Sequence, residues 1–93
     1  MEKIYQSIAA LAQEYGAAKV VLFGSRARGD GRPASDIDLA IYGMPAENRA
    51  AFWLLAEELP TLLKLDIVHM DRGVDPAFVH NIEKDGVVLY EKA

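Results

Sequence analysis

Cysteine is absent from this chain, which excludes disulfide bonds and thiolate metal sites. Long apolar runs are absent too. No uncharged stretch approaches the roughly 18 residues that a membrane-spanning helix needs. The first residues, Met1-Glu2-Lys3-Ile4-Tyr5-Gln6, lack the apolar core of a secretion signal, so the expected location is cytoplasmic. Positive charge is scarce. Ten lysines and arginines stand against fourteen aspartates and glutamates, for a net charge of −4. A protein that tracks duplex DNA or RNA carries a basic stripe to displace counterions, so extended nucleic-acid binding is not expected. The dinucleotide fingerprint G-x-G-x-x-G does not follow the first apolar run, and the Gly-Lys-Ser/Thr of a P-loop does not occur. There is no internal repeat, linker or low-complexity tract.

What is present is a short chain with ample apolar content. Its 93 residues allow one domain, residues 1–93, and 52% hydrophobic content suffices for a folded core. A domain this small buries only about two thirds of its unfolded-chain surface, so a partner subunit, as in a homodimer or hetero-complex, would add stability. Ile4, Ile8, Leu11, Ala12 and Tyr15 recur at helical spacing and predict an amphipathic helix over about residues 2–16, stopped by Gly16. Lys19 to Phe23 is β-branched and apolar, hence a buried strand. Gly24 to Ser35 contains three glycines and Pro33 and reads as loop, with room for a short helical turn after Ser25.

Ile37 to Tyr42 reads as a second strand, broken by Gly43-Met44-Pro45. Residues 46–63 look helical and offer Phe52, Leu55, Leu59, Leu62 and Leu63 to the core, with Pro60 kinking or ending the helix early. Leu65 to Met70 is a third strand. Asp75-Pro76 reads as cap and first position of a helix through about Lys84. Asp85-Gly86 is a turn before a last strand, Val87 to Tyr90. The expected fold class is α/β (α+β): a small mixed β-sheet of about four strands with helices packed against it.

Gly24-Ser25 closes the first strand, and after ten intervening residues Asp36-Ile37-Asp38 opens the second. Residues two apart on a strand share a face, so Asp36 and Asp38 project side by side while Ile37, Leu39 and Ile41 enter the core. Two adjacent carboxylates repel, and a cation between them removes that cost. Oxygen donors favour Mg²⁺ or Mn²⁺, and Mg²⁺ commonly takes one or two carboxylates and completes its shell with water and substrate phosphates. Gly24 permits close approach of backbone to ligand, and the Ser25 hydroxyl can donate to a phosphate oxygen. Arg26, Arg28 and Arg32 form the one basic cluster, which suits a single nucleoside triphosphate better than a polymer. A third carboxylate, Asp66, sits within Leu65-Asp66-Ile67-Val68, where a lone buried carboxylate must be paired or bound to metal. If its strand lies beside that of Asp36 and Asp38, three carboxylates and two metal ions permit in-line displacement at an α-phosphorus, with Asp66 as ligand or base.

Gly24-Ser25-Arg26-Ala27-Arg28-Gly29, Ser35-Asp36-Ile37-Asp38-Leu39-Ala40-Ile41, Leu65-Asp66-Ile67-Val68 and the ending from Ile82 to Tyr90 resemble the minimal nucleotidyltransferases (MNT) of the DNA polymerase β superfamily. The resemblance spans nearly the whole chain and implies the nucleotidyltransferase fold. It implies nucleotide binding at Gly24 and Ser25, metal binding at Asp36 and Asp38, and a third metal carboxylate at Asp66. It implies metal-dependent transfer of a nucleoside monophosphate, AMP from ATP, to a hydroxyl acceptor. It also implies a partner, because such short proteins occur beside a helical HEPN-type protein as a toxin–antitoxin pair. In that pair the antitoxin silences the toxin by attaching AMP to a tyrosine. Two other readings stand beside it. One is transfer to a small molecule or RNA once a second subunit completes the acceptor site. The other is a non-catalytic binding module that neutralises its partner by complex formation.

Each residue also has an ordinary role to weigh. Acidic residues at strand starts are commonly just solvated, and only the joint spacing with Gly24-Ser25 points to catalysis. Strand-end aspartates often cap turns or pair with arginine, which applies to Asp66 and to its competitor Asp71. Arg26 and Arg28 read equally well as surface residues. His69 falls on the face opposite Asp66 and reads as a packed or surface histidine, and His80 as solvated. Phe52 and Trp53 are neighbours on one helix and cannot share a face, so one enters the core and the other is a candidate subunit contact.

Overall fold

The computed structural model describes residues 2–29 and 35–93. In chain order the elements are α1 (Lys3–Glu14), β1 (Lys19–Phe23), α2 (Ser25–Arg28), β2 (Ile37–Tyr42), α3 (Ala46–Glu57), β3 (Leu65–His69), α4 (Pro76–Asp85) and β4 (Val87–Glu91). Gly31, Arg32 and Pro33 of the glycine-containing loop lie outside the described residues. Among those described, no helix is long and apolar enough to cross a membrane.

Helix α1 buries Tyr5, Ile8 and Ala12, one stripe at helical spacing. Past its C-cap Tyr15 the chain turns at Gly16, whose φ of +87° is the left-handed position that ends many helices. The sheet order is β3-β2-β1-β4. Strand β1 pairs antiparallel with both β2 and β4, and β2 pairs parallel with β3. A parallel pair needs a crossover, which α3 supplies.

One face of the sheet carries Val20, Leu22, Ile37, Leu39, Ile41 and Leu65 against Ile8 and Ala12 of α1 and Phe52 and Ala56 of α3. The other face carries Val21 and Ala40 beneath Ile82 of α4, flanked by Phe23, Tyr42, Met70 and Phe78. The middle of β1 and β2 is thus buried on both faces. That explains why Val20-Val21-Leu22 is continuously apolar and does not alternate. Helix α4 starts as its sequence predicts: the Ala77 amide donates to Asp75 Oδ1 at 2.8 Å, and Pro76 takes the first helical position.

The structure corrects the third helix. It ends at Glu57 and does not run through residues 58–63. Pro60 disfavours helical geometry in the residue before it and has no N–H to contribute. Leu62, past the helix end, is therefore fully exposed, while Leu59 and Leu63 pack against the core; Leu55, inside the helix, lies off the face that buries Phe52 and Ala56 and is also exposed. Phe52 is buried and its neighbour Trp53 is 49% exposed. Strand β3 ends at His69, one residue short of the predicted boundary, although the Met70 amide still donates to the Ile41 carbonyl at 2.8 Å. Strand β4 extends one residue further than predicted, to Glu91.

Candidate active site

The site is built where β1 ends. Gly24 follows Phe23 with φ 73° and ψ −156°, a region that is essentially glycine-only. A Cβ placed on Gly24 would collide with the Asp38 carboxylate, so that carboxylate lies directly against the turn. The sheet holds Asp38 there. It pairs with Phe23 across the antiparallel ladder and with Asp66 across the parallel one. Partners in register project to the same face, so Asp66, Asp38 and Phe23 form a row across three strands. Asp36 precedes β2, two residues before Asp38, and is exposed.

The row is electrostatically coupled. Burial holds the Asp38 carboxyl above the usual carboxylate range, and the charges of Asp66 and Asp36 push it the same way. A hydrogen bond with Asp66 adds to the rise, and the Arg28 charge opposes it. Lys64 Nζ lies 3.5 Å from Asp66 Oδ1, but its side chain is 71% exposed, so this loose pair neutralises little. Among the described residues no three acidic or histidine side chains are gathered tightly enough to hold an ion unaided. Two neighbouring carboxylates with a third close by are a donor set that fits a hard divalent cation whose remaining positions go to water or phosphate.

Asp71, the competing third carboxylate, is engaged elsewhere. Arg49 donates to both of its oxygens, at 2.8 and 2.7 Å, and holds its carboxyl below the usual range. Arg49 also donates from Nε to the Met44 carbonyl at 3.1 Å, and its pair with Asp71 ties α3 to the end of β3. His69 lies on the core side, opposite Asp66, as alternation predicts. Burial, then the Arg49 charge, hold its imidazole below the usual histidine range, and its buried Nδ1 makes no hydrogen bond.

The two arginines of the turn divide. Arg26 Nε donates to the Ser35 carbonyl at 2.9 Å, and Nη1 reaches Tyr5 Oη at 3.5 Å. It ties α2 to the residue before Asp36 and to α1. Arg28, at the end of α2, is the one whose charge acts on Asp38. Ser25 opens α2 and is half-buried beside Gly24. Sequence reasoning missed a groove of about 440 Å³ next to the turn, lined by Phe23, Gly24 and Arg28 and by Phe78, Asn81 and Asp85 of α4. The spacing of those last three, i, i+3 and i+7, was the available signal.

Comparison with known proteins adds to this geometry. The family model described as polymerase beta, nucleotidyltransferase matches residues 6–93. No curated protein sequence matches. Among solved structures, a proposed minimal nucleotidyltransferase is 30% identical, over 89% of this chain and 86% of its own, with a TM-score of 0.70. A chain from a toxin–antitoxin structure with AMP-PNP is 22% identical, over 98% of this chain and 75% of its own, with a TM-score of 0.72. A chain from the Shewanella oneidensis complex of a tri-AMPylated HEPN toxin with its MNT antitoxin is 20% identical, over 96% of this chain and 71% of its own, at a TM-score of 0.67. At those identities the last two speak to the fold alone.

Proposed function

Because the chain belongs to the polymerase β nucleotidyltransferase family, we propose that it transfers AMP from ATP to a hydroxyl of a partner protein, in a reaction that depends on a divalent metal. The observation that carries this reading is the register of Asp38 with Asp66, the Asp38 carboxylate lying against the Gly24 turn and the Asp36 charge acting on it. Asp36, Asp38 and Asp66 are the residues that would hold Mg²⁺ or Mn²⁺, two ions being the expected number. Bound there, such ions offset charge on the leaving pyrophosphate and lower the pKa of the acceptor hydroxyl.

The chain's own residues do the rest. Gly24 brings the backbone close to the phosphates, and Ser25 donates its hydroxyl to one of their oxygens. Arg28 supplies the positive charge at this end, while Arg26 holds the turn through Ser35 and Tyr5. The acceptor oxygen attacks the α-phosphorus, the bond from that phosphorus to the β-bridging oxygen breaks, and pyrophosphate leaves. The acceptor proton passes to Asp66 or through water to solvent.

The acceptor we assign is a tyrosine on a helical partner of the HEPN type, with this chain as the antitoxin. The AMPylated toxin in the S. oneidensis complex supports that assignment. A second reading, neutralisation by binding alone, is favoured by one observation: Trp53, Leu54 and Leu55 are all exposed on α3. Labelled ATP, Mg²⁺ and a co-expressed partner decide between them. The enzyme reading expects label on the partner that survives denaturation and disappears with Asp38→Asn. No transfer, together with partner binding that Asp38→Asn leaves unchanged, selects the binding module.

A further inference from the structure

Strands β1 and β4 carry the same tripeptide, Val20-Val21-Leu22 in one and Val87-Val88-Leu89 in the other. In β1 it is paired on both sides and buried. In β4, the edge strand, it is paired on one side, and Val87 and Val88 are 44% and 46% exposed. Register sets Val87 opposite Leu22 and Val88 opposite Val21, so the two valines stand on opposite faces of the sheet. A strand that is apolar on both faces has the pattern of a sheet interior. Edge strands are ordinarily blunted by charge, proline or a bulge. The register shift of this ladder falls at Leu89, which is buried, and leaves Val87 and Val88 uncovered. The opposite edge is different: β3 carries Asp66 and His69 and has no exposed apolar residue.

The surroundings of β4 fit an added strand. A groove of about 370 Å³ borders Leu22, Val87 and Leu89, and another of about 240 Å³ borders Val21, Ile82 and Val88. They flank the edge on its two faces, and a paired strand projects alternate side chains into both. The charges say which strand. Lys84 and Asp85 precede β4, Glu91 and Lys92 end it, and all four are exposed. Antiparallel pairing of β4 with its own copy brings one copy's Lys84 and Asp85 to the other's Glu91 and Lys92, with both signs on each side. Such pairing is isologous and closes at two chains, whereas β4 on the charged β3 edge of a second copy would leave open ends. We infer that β4 is a homodimer interface, joining two four-stranded sheets into one through antiparallel β4–β4 pairing. The interface lies at the other edge of the sheet from Asp66 and stands apart from the transfer reading.

The test is sedimentation velocity of the full chain. At about 100 μM, tenfold above a Kd of about 10 μM, most wild-type chains are expected to run as dimers. Val88→Lys sets two lysines into the strand pair and is expected to weaken association at least about tenfold. Trp53→Lys, on the exposed surface of α3, is expected to leave it unchanged. A wild type that stays monomeric leaves the edge to a foreign strand and overturns the inference. A dimer that survives Val88→Lys, or that Trp53→Lys dissolves, overturns it too. Because the chain has no cysteine, Glu91→Cys offers a single nitroxide site, which reads the interface even where Val88→Lys fails to fold. Strand spacing and rise put the two labels within about 20 Å of each other, so their spectra are expected to broaden in the dimer. A dimer without that broadening places its interface elsewhere and rejects β4.

Discussion

At Gly24 the backbone conformation and the space allowed select the same residue. The φ, ψ pair is glycine's, and the Asp38 carboxylate occupies the place of a Cβ. Gly24→Ala must shift either the turn or Asp38, so it is expected to cost about 1–3 kcal/mol of stability. Denaturant unfolding reads the stability loss, and label transfer from ATP is expected to fall with it. Elsewhere single residues set a pH response. His69, facing Arg49 of α3 and Asp71 beyond β3, is held below the ordinary histidine range when folded. As pH drops below about 6.5, the unfolded chain takes up a proton that the folded chain refuses, so stability falls. Asp71 is held below the usual carboxylate range by Arg49, so its contribution is lost later, as pH falls through about 4 and below. Urea midpoints across pH should show both declines, and His69→Gln should remove the first and leave the second.

Among the helices, α4 is the one whose boundaries were most legible, because its start is local chemistry. Asp75 accepts from the Ala77 amide, and Pro76 needs no donor at the first helical position. Asp75→Ala is expected to cost about 1 kcal/mol, measured by thermal unfolding. The carboxylate strands were legible in a different degree. Alternation alone predicted Asp36 and Asp38 on one face, and apolar neighbours made Leu65 to Met70 a strand. That Asp66 stands beside Asp38 is a fact of register, set by the packing of Ile37 and Leu65 in the core and not by anything within either strand. The same limit hid the division of Arg26 from Arg28. Two arginines two residues apart on a single helical turn point to different sides, and only the neighbours at Ser35 and Asp38 say which is which. In α3 the early end expected at Pro60 was legible, and what misled was the apolar residues continuing past Glu57, of which Leu62 is exposed and not in the core.

At the scale of the whole molecule, the chain carries a feature that costs stability, set against its function. Two carboxylates, Asp38 and Asp66, stand side by side on the face of a small sheet, and Asp38 is held above its usual range by burial and by the charges of Asp66 and Asp36. A carboxyl that is harder to ionise folded than unfolded destabilises the fold at neutral pH, where it must be charged in both states. A small domain has little stability to spare, so the site should be visible in its unfolding. Asp38→Asn removes one charge from the row and offers an amide that can donate to Asp66. In metal-free buffer this variant is expected to unfold at a higher temperature than the wild type, by about 4–8 °C for each 1 kcal/mol of repulsion relieved. Added Mg²⁺ should raise the wild-type midpoint and leave that of Asp38→Asn almost unmoved, because only the intact row gains from a cation. AMP transfer should be lost in the same variant. Differential scanning calorimetry with and without chelator tests all but the last of these. An Asp38→Asn chain that is less stable than the wild type without metal would mean that Asp38 is held in place by packing, and that its neighbours' charges do not set its energy.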